Sequence, residues 1–242
     1  MSFAIFFFAH QDDEFGVFNQ IEQELISGKK VVCIFVTDGG AKQTLRRNSE
    51  STAVLKILGV LPENIYFLGG DLDIPDCQLH LRINIFIKWL DSFIIKFNPS
   101  FIYIPAWEGG HPDHDVLHAV IVKFFENKTN FKFIKQYSLY NNFKCSGPLF
   151  KVLSPIPQNG EIFISRIKLK DRIRYLKLCL FYRSQWKSWL GLFPAVLIHY
   201  FLFGVQYLQP VKLARIYEKP HEGILYYEYR KFLDWDTLKN HL

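Results

Sequence analysis

Cysteine is scarce and dispersed: Cys33, Cys77, Cys145 and Cys179 lie far apart in 242 residues, with no C-x-x-C pair among them. That spacing excludes a thiolate zinc module and offers no disulfide framework, and a reducing compartment is the simpler setting. Charged residues amount to 21%, and the basic ones are spread along the chain rather than massed, leaving a formal net charge of +6. Nucleic acid is therefore not an expected partner, whereas an anionic ligand or an acidic membrane surface is compatible with the surplus. There is no internal repeat and no low-complexity tract. No G-x-G-x-x-G follows a predicted strand, which argues against a dinucleotide-binding protein. Met1 leads straight into a predicted strand without the basic segment or small-residue cleavage site of a secretory signal, so a cytoplasmic location is expected.

Apolar residues are plentiful at 49%, and the chain is long enough to bury one sizeable core. Residues 3–9 and 30–37 read as buried strands, being short β-rich apolar runs that stop at polar clusters. Residues 17–27 read as a helix closed by Gly28. Residues 46–58 form another, with Ala53, Val54, Ile57 and Leu58 on one stripe before Gly59. A short strand at 64–68, a long amphipathic helix at 79–97 stopped by Asn98-Pro99, a strand at 101–105 and a helix at 115–127 continue the alternation. This pattern predicts an α/β, Rossmann-like fold with a mostly parallel sheet and helices on both faces. Ligands of such sheets sit beyond the carboxyl ends of the strands, where strand order reverses.

Beyond Lys135 the pattern weakens, with a strand expected at 136–141, a loop at 145–160 and helical spacing at 165–182. From Ser188 to Val211 no residue carries a fixed charge, and basic Arg183, Lys187, Lys212 and Arg215 flank the stretch. Its length is borderline for a span. Three forms stay open: a spanning helix, a segment dipping into the membrane interface, and a buried or self-associating helix that pairs copies of the chain. The expected division is a core over 1–185 and a C-terminal extension over 186–242 containing an apolar helix, either packed on the core or held peripherally at the inner face of the membrane.

Two polar segments carry the chemistry, His10-Gln11-Asp12-Asp13-Glu14 and His111-Pro112-Asp113-His114-Asp115, each directly after an apolar run. Both follow the carboxyl end of a predicted strand, so about 100 residues of separation need not keep them apart. Two imidazoles and a carboxylate can hold a divalent ion with one position open, an arrangement suited to metal-assisted hydrolysis. His10 and Asp13 are three apart and can reach one ion if the chain turns helical between them. Asp12 is then the neighbouring carboxylate left free to take a proton from water. The plainer reading is that Asp12 and Asp13 complement the positive end of the following helix. On the second segment Pro112 fits a first helical turn. His114 and His118 lie four apart, and spacing does not choose between them as ligand; His111 could face the reacting group.

The two segments resemble the A-H-P-D-D-E and H-P-D-H signatures of the PIG-L/LmbE-type zinc-dependent N-deacetylases. Arg47 to Glu50 with Ala53 and Leu58-Gly59 is similar to that family's R-x-x-E…A…L-G stretch, and Tyr182-Arg183-Ser184-Gln185 resembles its Y-x-S-Q. The resemblance implies zinc held by His10, Asp13 and His114, Asp12 as general base, and His111 as an imidazolium facing the oxyanion. It also implies that Asp113 orients a histidine and that Arg47 contacts the sugar or its phosphate. The implied reaction removes an acetyl group from an N-acetyl amino sugar of the N-acetylglucosamine type, and the uncharged 188–211 stretch points to a lipid-linked or otherwise amphiphilic substrate. Gln11 departs from the usual Pro, so the loop loses a φ constraint. Fe(II) bound by the same two-His-one-carboxylate set, or a non-catalytic sugar- or lipid-binding module on this fold, are the competing readings.

Overall fold

The computed structural model describes residues 2–97 and 99–242. Strand β1 (Phe3–Phe8) is apolar throughout and completely shielded from Ala4 onward, as a parallel strand must be when helices cover both faces. Side chains alternate across it. Ile5, Phe7 and Ala9 join one apolar layer, and Ala4, Phe6 and Phe8 the other.

After β1 come α1 (Phe18–Ile26), β2 (Lys30–Phe35), α2 (Thr44–Leu58), β3 (Ile65–Phe67), the single turn α3 (Leu68–Asp71), α4 (Ile83–Phe97), β4 (Phe101–Pro105), α5 (Pro112–Phe125) and β5 (Ile134–Tyr137). Next are β6 (Tyr140–Asn141), β7 (Lys151–Val152), β8 (Phe163–Arg166), α6 (Leu169–Cys179), α7 (Trp186–Ile198), β9 (Val205–Pro210), α8 (Tyr226–Tyr229) and α9 (Trp235–His241). The main sheet has the order β3-β2-β1-β4-β5-β9-β8. Its first five strands are parallel, while β9 runs antiparallel to β5 and to β8. Helices α4, α5 and α9 cover one face and α1, α2, α6 and α7 the other. The predicted mixed α/β architecture is the observed one.

The chain runs outward from β1 to β3 and then returns to lay β4 on the other side of β1, so strand order reverses between β1 and β4. The two polar segments leave the sheet at this switch point, in register across the β1–β4 pair.

Several expected elements take a different local form. The helix foreseen over 79–97 is broken at Arg82, where a 3₁₀ turn, Leu79–Leu81, precedes α4. The Leu79 amide there donates to the Asp113 carboxylate rather than entering a helical ladder. Its Asn98 stop signal lies outside the described residues. The strand foreseen over 136–141 divides into β5 and β6. The helical spacing from 165 holds only from Leu169, because Phe163–Arg166 pairs with β9. The uncharged stretch from Ser188 is not one helix: α7 runs into a π-turn, His199–Phe203, then Gly204 in the left-handed region, then β9. Among the described residues no helix is long and apolar enough to cross a membrane.

Candidate metal centre

β1 ends at Phe8, and His10 to Glu14 follow as a tight loop entering a 3₁₀ turn, Asp13–Gly16. The Glu14 carboxylate accepts the Asp12 amide at 2.9 Å, and Asp12 sits at φ +104°, a strained setting for a residue with a Cβ. That strain turns two consecutive aspartates to different tasks. Asp13 folds back to accept the His10 amide at 2.8 Å, and Asp12 points to the neighbouring cleft.

The second segment opens α5, with His111 as N-cap and Pro112 in the first turn. Asp115 accepts the amides of Glu108 and Gly109 at 3.1–3.2 Å, which folds the preceding loop back onto the helix. Gly110 is required there, since any Cβ would collide with the Tyr140 carbonyl.

These two loops bring three donor atoms together. His10 Nδ1 lies 3.2 Å from His114 Nε2, His114 Nε2 lies 3.1 Å from both Asp13 oxygens, and His10 Nδ1 lies 3.6 Å from Asp13 Oδ2. All three residues are buried. Ligand atoms about 2.0–2.1 Å from a tetrahedral zinc would stand about 3.3 Å apart, so the donor set fits such an ion. His10 Nε2 faces Asp113 Oδ2 at 3.2 Å and Asp76 Oδ1 at 3.0 Å, which leaves Nδ1 as the nitrogen with a free lone pair. Asp113 is itself fixed by the amides of Cys77 and Leu79 at 2.7 and 3.1 Å. His118 is elsewhere: its Nδ1 meets the Pro105 carbonyl at 2.8 Å, and burial holds it down at about 4.

The charges around this centre call for a cation. Burial disfavours the charged form of His10, yet the carboxylates of Asp76, Asp113 and Asp13 outweigh it and hold the imidazole well above its usual range. Burial also works against the Asp13 carboxylate, and His114 and His10 more than offset it. Asp12 is pushed up to about 6 by burial, with the Arg47 guanidinium opposing. Burial raises Glu14 to about 8. His111 is held at about 3 by burial and by His10. Its Nδ1 accepts the Asp113 amide at 3.2 Å, so the proton of a neutral ring sits on Nε2. A neutral ring held this way presents its Nε2–H to the cleft.

A model of the PIG-L family, described as GlcNAc-PI de-N-acetylase, matches residues 5–125, half of the chain. The chain belongs to the PIG-L family. A search of curated protein sequences finds no significant match. Solved structures with a similar fold include a triple mutant of a deacetylase of the teicoplanin biosynthetic pathway, at 18% identity and TM-score 0.66, covering 88% of this chain and 98% of that one. The N,N'-diacetylchitobiose deacetylase of Pyrococcus horikoshii follows at 19% identity and TM-score 0.60, with 87% and 83% covered. GalB, a 4-carboxy-2-hydroxymuconate hydratase of Pseudomonas putida, is similar at 12% identity and TM-score 0.54, with 86% and 96% covered. A fold that also carries a hydratase does not decide the reaction.

In this PIG-L family chain the inner motifs meet as well. Glu50 accepts the Ser184 amide and hydroxyl at 3.0 and 2.6 Å, tying α2 to the turn that begins α7. Arg47 is buried, and its NH groups are engaged by the Gly39 and Gln11 carbonyls and, at 3.1 Å, by Asp12 Oδ1. It borders the cleft as a brace for the Asp12 loop. The side chain of Gln11 donates to Asn48 at 2.7 Å, a tether to α2 in place of a proline ring's constraint.

Sequence reasoning missed Trp189. Its indole N–H donates to Asp12 Oδ2 at 3.1 Å, and its ring packs edge-on to Phe15 and stacks on Tyr182. Inside an uncharged stretch nothing marked this tryptophan as different from its neighbours. Trp189→Phe keeps the ring contacts and removes the donor. We expect turnover to fall about tenfold with metal content unchanged, read by kcat/KM beside metal analysis. Asp76, Tyr140, Phe150, Tyr226 and Phe232 also line the cleft, which has a volume of about 390 Å³, and only folding reveals them as neighbours.

Proposed function

We propose that this chain is a zinc-dependent N-deacetylase that releases acetate from an N-acetyl amino sugar of the N-acetylglucosamine type. The observation that carries this reading is the convergence of His10 Nδ1, Asp13 and His114 Nε2 beside a carboxylate, Asp12, that belongs to no ligand set. A zinc ion held by those three donors would supply a Lewis acid that polarises an amide carbonyl and acidifies water. Asp12, oriented by Arg47 and Trp189, takes the proton from the attacking water and passes it to the departing amine. His111 donates from Nε2 to the oxygen on which negative charge develops, its ring set by the Asp113 amide. Asp113 holds His10 with Nδ1 inward. Arg47 lies beside the sugar, where its charge favours hydroxyl or phosphate oxygens.

The cleft supports the substrate class. Tyr140, Tyr226 and Phe150 offer aromatic faces to a sugar ring, and Leu192 and Phe232 make part of its wall apolar. That balance favours an amphiphilic, lipid-linked glycoconjugate. Fe(II) could occupy the same donors, but oxygen chemistry gives Asp12 no task.

The test is free-amine and acetate release from N-acetylglucosamine derivatives carrying short and long alkyl aglycones, with chelator and then with zinc restored. Release that a chelator abolishes and zinc restores is expected. Release indifferent to the chelator, or absent from every N-acyl sugar in the zinc-loaded protein, would overturn the proposal.

A further inference from the structure

Helix α7 has two unlike duties on its two sides. Its inner side buries Trp189 and Val196, and Ser188, Gly191 and Leu192 line the cleft. Its outer side and the π-turn that continues it expose Trp186, Leu190, Ile198, Phe201, Leu202 and Phe203, each between 54% and 73% accessible. A helix apolar all round is normally buried in protein or lipid, and exposed apolar surface of this extent marks an interaction site. The neighbouring α6 adds Leu169 and Ile173, also exposed, and is joined to the π-turn by the Arg172 guanidinium on the Tyr200 carbonyl.

Charge identifies the occupant. Residues 162–204 contain eight Lys and Arg and a single acidic residue, Asp171, a net +7 against +6 for the whole chain. Asp171 is itself paired with Arg174. Arg166, Lys168, Lys170 and Lys187 are exposed. Exposed aromatic and aliphatic side chains among cations match the interface of an anionic bilayer, where apolar groups enter the acyl boundary and lysines meet phosphates. A second copy would bring the same basic surface, and like charges oppose pairing of two such faces.

We propose that the α7 and π-turn surface docks the protein on anionic phospholipid membranes, with the cleft mouth beside the headgroups. Docking goes beyond the deacetylase reading and does not depend on it.

The experiment is co-sedimentation of the full chain with vesicles of phosphatidylcholine alone and with an equal share of phosphatidylglycerol. Binding to the anionic vesicles, weakened by 0.5 M salt, is expected. Phe201→Ser with Leu202→Ser should abolish it, and Lys168→Glu with Lys170→Glu should weaken it about tenfold or more. Thermal unfolding and turnover of a water-soluble N-acetyl sugar should stay at parental values in both variants. No binding to either vesicle, binding unchanged in the Phe201 and Leu202 variant, or a dimer that this variant dissociates would overturn the proposal. Loss of turnover in the parent with docking intact would count against the deacetylase reading alone.

Discussion

Asp12→Asn is expected to bind one metal ion per chain as the parent does and to lose turnover by roughly 10²- to 10⁴-fold. Asparagine is nearly isosteric and can still accept from Arg47 or Trp189 through its carbonyl oxygen, but it cannot take a proton from water. The loop should hold, because Glu14 fixes the position 12 amide and Arg47 also grips the Gln11 carbonyl. Metal content by elemental analysis, set beside kcat, separates loss of a base from loss of the site. A variant that kept more than a tenth of parental kcat would remove Asp12 from the proton path. Equal loss of metal and activity would assign it to the coordination sphere.

His114→Ala is expected to act through the metal. It removes one of three converging donors and leaves Asp13 and His10 to bind an ion without a closed set. Losing a Lewis acid worth several kcal/mol should lower turnover on the order of a thousandfold. A second readout comes from linkage: zinc should raise the parent's melting temperature and leave the variant's almost unchanged. His118→Ala is the matched control. It lies on the same helix, faces the Pro105 carbonyl, and should retain the zinc-dependent shift. If His114→Ala responded to zinc as the parent does, the ion would have to sit elsewhere.

The parallel half of the fold was legible because each strand is a short apolar run cut off by a polar cluster, and each crossover helix carries an apolar stripe. The two site segments were legible for the same reason, since a strand's end in an α/β sheet is where polar residues have a use. Choosing His114 over His118 was beyond periodicity: both lie on α5, and only the rotation of that helix, set by Pro112 and by Asp115 holding the loop before it, turns one onto Asp13 and His10. Trp189 and Asp76 were illegible because their meaning is long-range. One reaches Asp12 across 177 positions and the other meets His10 from the loop before α4. The 188–211 stretch misled by composition, since absence of charge does not distinguish a helix from a helix, a π-turn and a strand in succession.

The strand β9 has a consequence for how the protein is made. It lies between β5 and β8, so a nascent chain halted before residue 205 would carry five parallel strands ending in a bare ladder at β5. Such an open edge recruits other chains, and ribosome-stalled or proteolysed fragments should aggregate rather than persist as partial enzymes. Competence is thus gained late in synthesis, when the last antiparallel strand closes the seam.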